Sequence, residues 1–111
     1  MEAEISAAIR AAVPGIKVYM DVAASGATAP FVVLQRVGGS GFKHIDTSTS
    51  DYEVRLQVAV WDTSRPTVDA HSRAIEAALM ALQAIPVGAA VADVDAETRL
   101  RGMRQDFYIR D

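Results

Sequence analysis

The residues best suited to chemistry lie in Gly38-Gly39-Ser40-Gly41-Phe42-Lys43-His44, which combines three glycines, a lysine and a histidine ahead of a hydroxyl run from Thr47 to Ser50. Glycine-freed amides beside a lysine are the parts of a phosphate cradle. The order is wrong for one. The GxxxxGK[ST] loop needs Gly-Lys-Ser/Thr in direct succession, and here Phe42 separates Gly41 from Lys43. The segment also leads into a strand, so no following helix supplies the anion-binding N-terminus that such loops exploit. A nucleophile elbow requires Gly-x-Ser-x-Gly, and Gly39-Ser40-Gly41 is one residue too tight. Catalysis by an activated serine therefore has no anchor.

Asp93, Asp95 and Glu97 raise a second possibility. Oxygen ligands at alternate positions of a strand project from one face and suit a hard cation. Arg99 and Arg101 continue the same parity, which favours a solvated charged face over a metal site. The two histidines are His44 and His71. His71 falls on the apolar stripe of a predicted helix and reads as a satisfied, half-buried side chain. Trp61, beside Asp62, reads as a core or interface anchor. With no cysteine, disulfides, thiolate zinc sites and thiol catalysis are excluded.

These residues must be positioned by the elements around them. Glu2 to Val13 spaces Ile5, Ala8, Ile9, Ala12 and Val13 as one helical face, and Pro14-Gly15 stops it. Ile16 to Met20 alternates as a strand with Ile16, Val18 and Met20 inward, and Val22 to Ala29 reads as a loop. Pro30 to Val37 is dense in β-branched and aromatic residues, with proline at its first position, where a missing ladder donor is tolerated. Tyr52, Val54, Leu56, Val58 and Val60 then alternate with polar neighbours, and these two segments predict an antiparallel hairpin. Pro66 opens a helix running to about Ala84, with Val68, His71, Ile75, Leu79 and Leu82 on its buried stripe. Val91 to Glu97 and Met103 to Arg110 read as a second hairpin turning near Thr98 to Gly102. The resulting fold class is α+β, a largely antiparallel β-sheet with one long helix and a short N-terminal helix packed on one face.

Residues 1–111 are expected to form a single domain, since a chain of this length holds one core. Its 20 alanines and 13 valines against 5 leucines, 3 phenylalanines and 1 tryptophan make that core thin, a pointer to oligomerisation. A net charge of −3 argues against a general nucleic-acid binder. No apolar run reaches the ~18–20 residues of a membrane span, and the acidic N-terminus lacks the basic start of a signal peptide.

Taken in order, Ala29-Pro-Phe-Val-Val-Leu-Gln-Arg-Val37, a long loop, Tyr52-Glu-Val-Arg-Leu-Gln-Val-Ala-Val-Trp-Asp62, an Ala- and Leu-rich helix and a terminal Asp106-Phe-Tyr-Ile strand resemble the tail-completion, or tail-terminator, proteins of long-tailed bacteriophages and gene transfer agents. The Ala96 to Met103 connection is more compact than that resemblance would suggest. It implies a structural subunit without catalysis or cofactor, forming a hexameric ring on the head-proximal end of the tail tube. Such a ring stops tube polymerisation and presents a docking surface to the head-tail connector protein. DNA would pass through its lumen without specific binding, and no membrane is involved. The resemblance places the protein in the virion or phage-like particle, assembled in the host bacterial cytoplasm. The 38–50 loop is then expected to order against the tail-tube protein or the next copy. Phe42 and Ile45 would be its apolar anchors, with Lys43, His44 and Asp46 as polar contacts. The alternatives are a neighbouring head-tail connector or tail-tube component, and a small ligand-binding domain.

Overall fold

The computed structural model describes residues 2–38 and 53–110, so the loop residues Phe42, Lys43, His44, Ile45 and Asp46 lie outside the described residues. The chain opens with helix α1, Glu2–Ala12. Its i, i+4 pair Ile5 and Ile9 is buried, Glu2 and Glu4 occupy the first turn, and Arg10 sits in the last, each charge matching the helix dipole. Gly15, at φ 88°, turns the chain into strand β1, Lys17–Met20.

Four more strands and a second helix follow: β2 (Phe31–Gly38), β3 (Glu53–Asp62), α2 (Arg65–Ala81), β4 (Ile85–Val94) and β5 (Arg101–Arg110). They form one five-stranded sheet in the order β1-β2-β3-β5-β4. The β2–β3 hairpin is antiparallel, as the sequence predicts, and β3 pairs along its full length with β5. Only β1 runs parallel to its neighbour, β2. Both helices pack on one face, where Val32, Leu34, Leu56, Val58, Val60 and Phe107 meet Ile5, Ile9, Val68, Ile75 and Leu79 in one buried cluster. The α+β architecture expected from the sequence is the one observed.

Three local expectations are corrected. Met20 is 42% exposed rather than inward, because it ends a four-residue edge strand and Asp21, at φ 68°, turns the chain away. The long helix stops at Ala81, and Leu82 is exposed rather than part of the buried stripe. Gln83 N donates to Met80 O and Ala84 N to Leu79 O, the bonding of a Schellman cap, with Gln83 in the left-handed region at φ 71°. The strand expected over 91–97 spans Ile85–Val94 instead. Its irregular pairing with β5 between Val87 and Val91 accommodates Gly88 at φ 76°, so this bulged strand carries residues that read as loop. The turn accordingly falls at 95–100 rather than at Thr98 to Gly102.

At the start of α2, Ser64 is the N-cap, its side chain accepting from Thr67 N, and Pro66 occupies the first turn, where a missing N–H costs nothing. Among the described residues, no helix is long and apolar enough to cross a membrane.

Candidate functional site

Pairing fixes which side chains share a face. Val32, Leu34, Leu56, Val58, Val60 and Phe107 point to the helices, so their alternates point to the face that neither helix covers. One end of that uncovered face is aromatic. Tyr19 meets Phe31 edge-on with ring centroids 6.0 Å apart, and Phe31 lies opposite Trp61 in the β2–β3 register. Trp61 lies on Gly102, its cross-strand partner in β5; a Cβ added there would come within 2.6 Å of the indole ring. Trp61 thus packs half-buried across the sheet on Gly102.

The other end is charged. Arg55 Nε donates to Asp106 Oδ2 at 2.8 Å, and its guanidinium carbon lies 6.0 Å from the centre of the Tyr108 ring. The hydrogen bond that Arg55 donates to Asp106 leads the influences that push the Arg55 pKa above its ordinary value. Arg55, Gln57, Arg104, Asp106, Val87 and Val91 help line a depression of about 230 Å³ on this face. By contrast, the space lined by Val58, Ser72, Ile75 and Phe107 beneath α2 amounts to about 10 Å³, room for roughly one water.

On the helix-covered face several polar side chains are tied to one another or to the backbone. His71 Nε2 is 3.1 Å from Asp62 Oδ2, and Asp62 Oδ1 accepts from Thr63 N at 2.7 Å. His71 is thus the satisfied, half-buried histidine that its place on the helix predicted. Gln105, 7% exposed, donates from Nε2 to Glu76 Oε2 at 2.9 Å and to the Gly88 carbonyl at 3.2 Å. Arg65 spreads its guanidinium over two carbonyls, Gly102 O at 2.8 Å and Asp93 O at 3.0 Å, joining the start of α2 to β5 and β4. Sequence reasoning passed over Arg65 because nothing local marks a side chain whose partners lie 28 and 37 residues away.

The alternation of Asp93, Asp95 and Glu97 does not survive, because β4 ends at Val94 and the latter two lie in the turn. Asp93 Oδ1 accepts from Val94 N at 2.8 Å, and Asp95 Oδ1 accepts from Glu97 N at 3.0 Å. Among the described residues, no three His, Asp or Glu side chains are grouped to hold a metal ion. The Glu97 amide, followed by the Thr98 hydroxyl, holds the Asp95 carboxyl below its ordinary pKa of 3.8. A depressed folded-state pKa gives a contribution that is complete above 3.8 and lost as pH falls through the folded value. An NMR titration should therefore find Asp95 below 3.8, and Asp95→Asn should remove this part of the acid dependence; titration at or above 3.8 would refute it.

Among the described residues, a one-sided α+β sheet with one face and two edges left uncovered suits a small subunit that works by contact with other proteins. The family profile described as Tail completion protein gp17 matches residues 4–110, and the chain belongs to that family. Membership gives it a structural role in bacteriophage tail assembly, as a component of the virion. No characterised protein matches the chain by sequence.

Proposed function

We propose that this protein terminates the tail: it caps the head-proximal end of the tail tube as a hexameric ring, stops tube polymerisation and forms the docking surface for the head-tail connector. The family match over residues 4–110 carries this reading, since it spans every described strand, all of α2 and all but the first two residues of α1. Among the described residues, one sheet face and two sheet edges are left uncovered, which gives such a subunit surface for copies of itself, the tube and the connector. A net charge of −3 suits a lumen through which DNA of a phage or gene transfer agent slides, because Lys and Arg contacts to phosphate supply nonspecific affinity. In this reading Phe42, Lys43, His44, Ile45 and Asp46 contact the tail-tube protein or the neighbouring copy, with Phe42 and Ile45 as apolar anchors. The role is structural, with no catalysis and no cofactor.

Purified protein added to polymerising tail-tube protein should yield tubes that stop growing at one end. Particles lacking it should carry tails of irregular length without heads, as electron microscopy would show. Tails of normal length joined to heads in its absence would refute the reading. Filaments of the purified protein, instead of closed rings by mass, would identify a tube component. Phe42→Ala with Ile45→Ala should reproduce the defect; normal tails from that variant would remove the loop from the mechanism while leaving the cap.

A further inference from the structure

We infer that neighbouring copies join edge to edge, β4 of one pairing antiparallel with β1 of the next, in the register that sets Asp93 opposite Lys17. The inference rests on the ring reading above and says how the ring is made.

Strand polarity supplies the first argument. Among the described residues, the order β1-β2-β3-β5-β4 leaves β1 and β4 as the two edges. The parallel β1–β2 pair and the three antiparallel pairs that follow make β4 run opposite to β1. Copies related by rotation about a ring axis along the sheet keep their strand directions. The β1 of each copy therefore meets the β4 of its neighbour antiparallel, and the helices of all copies remain on one side. A two-fold dimer would instead bring β4 against β4.

Backbone parity supplies the second. Asp21 N donates to Leu34 O at 2.8 Å, so the odd residues of β1 face β2, and the even residues, Val18 foremost, face outward. On β4, Asp95 N donates to Leu100 O at 3.0 Å, which places Asp93 opposite Gly102 in the same alternation, with both carbonyls on Arg65. Ala92 and Val94 therefore turn outward, and Val94 N is held by the Asp93 carboxylate rather than by another strand. Val18 packs against the core and Ala92 lies opposite Met103, which also packs there, so both side chains sit on the helix-covered face. Facing Val18 with Ala92 joins free backbone groups and matches faces at once. A one-residue offset on either edge would have forbidden it.

Side chains choose among the registers of that parity. With Val18 opposite Ala92, exposed Lys17 lies across from Asp93 and Tyr19 across from Val91, which is 51% exposed. Lys17 Nζ now holds Thr28 Oγ1 at 3.0 Å, and Asp93 Oδ2 lies 4.0 Å from Arg104 Nε, so neither charge is buried in another pair. Shifting by two residues one way sets Lys17 against apolar Val91; shifting the other way sets it against Asp95, whose carboxylate serves the turn. Exposed apolar residues gather at the same edges: Met20 and Val22 at the end of β1, and Ile85, Val91 and Val94 on β4.

The chain has no cysteine, so introduced thiols report the junction alone. Tyr19 and Val91 would form a non-hydrogen-bonded pair with Cα atoms about 4.5 Å apart, within disulfide range. Oxidised on capped tail tubes and on free protein, Tyr19→Cys with Val91→Cys should give a ladder of covalent oligomers, and each single variant only monomer. Lys17→Asp should lose the ring by mass, and adding Asp93→Lys should restore it; circular dichroism checks that these surface variants fold. Rings of unchanged mass without a ladder would overturn the pairing and leave the ring standing. A dimer from Val91→Cys alone would replace it with a two-fold contact. Wild-type protein of single-subunit mass at every concentration and on tail tubes would overturn the ring itself.

Discussion

Phe107→Ala should lower the stability of the folded chain by about 3–5 kcal/mol, the usual cost of emptying a phenylalanine site in a core that cannot collapse around the void. Phe107 is 1% exposed and among the largest fully buried side chains. It stands on β5 between Leu56 of β3 and Pro86 of β4. A hydrogen-bonded strand on each side leaves the backbone little freedom to close the gap. Small domains hold a net stability of about 5–15 kcal/mol, so this one residue carries a large share. Urea unfolding should show a lower midpoint at unchanged slope, and Phe107→Leu should lose less because it fills part of the volume. A loss under about 1 kcal/mol for the alanine variant would show that the helices close onto the sheet after all.

Gly102→Ala should destabilise by about 1–3 kcal/mol through overpacking. A Cβ there meets Trp61 Cε3 and Cζ3 at 2.6 Å and Cδ2 at 2.9 Å, all within one rigid ring system that has to move as a whole to make room. The ring would have to leave its shelf beside Phe31, its cross-strand partner in β2. The expected signature is non-additivity: in a Trp61→Val background, Gly102→Ala should cost much less, since nothing then occupies the site. Equal costs in both backgrounds would mean that the glycine serves the backbone, whose carbonyl Arg65 also holds, rather than the indole.

Much of this architecture is legible in the sequence, for physical reasons. Alternation from Val54 to Val60 fixes both the strand and its buried face, because a one-residue slip would turn four aliphatic side chains to water. The i, i+4 spacing of Ile5 with Ile9 and of Ile75 with Leu79 does the same for the helices, and it places His71. The start of β4 was hidden because its signals point elsewhere. The left-handed cap of α2 is built on Gln83 rather than on glycine, and Pro86 with Gly88 looks like a loop although it forms a bulged edge strand. Arg65 on its two carbonyls and Trp61 on Gly102 depend on which strands become neighbours, which no local pattern encodes. The tail-completion family was legible from the order of the strand motifs.

Arg65 bears on how fast any partner can engage the sheet. Its guanidinium clamps the carbonyls of Gly102 and Asp93, and it lies 3.8 Å from Asp69 on its own helix, so α2, β5 and the outer half of β4 meet in one braced corner. Most edge strands fray, and a partner that captures them must first immobilise them. Here that entropy has already been lost on folding, so the edge meets its partner preorganised, and encounter can lead to pairing without a slow ordering step.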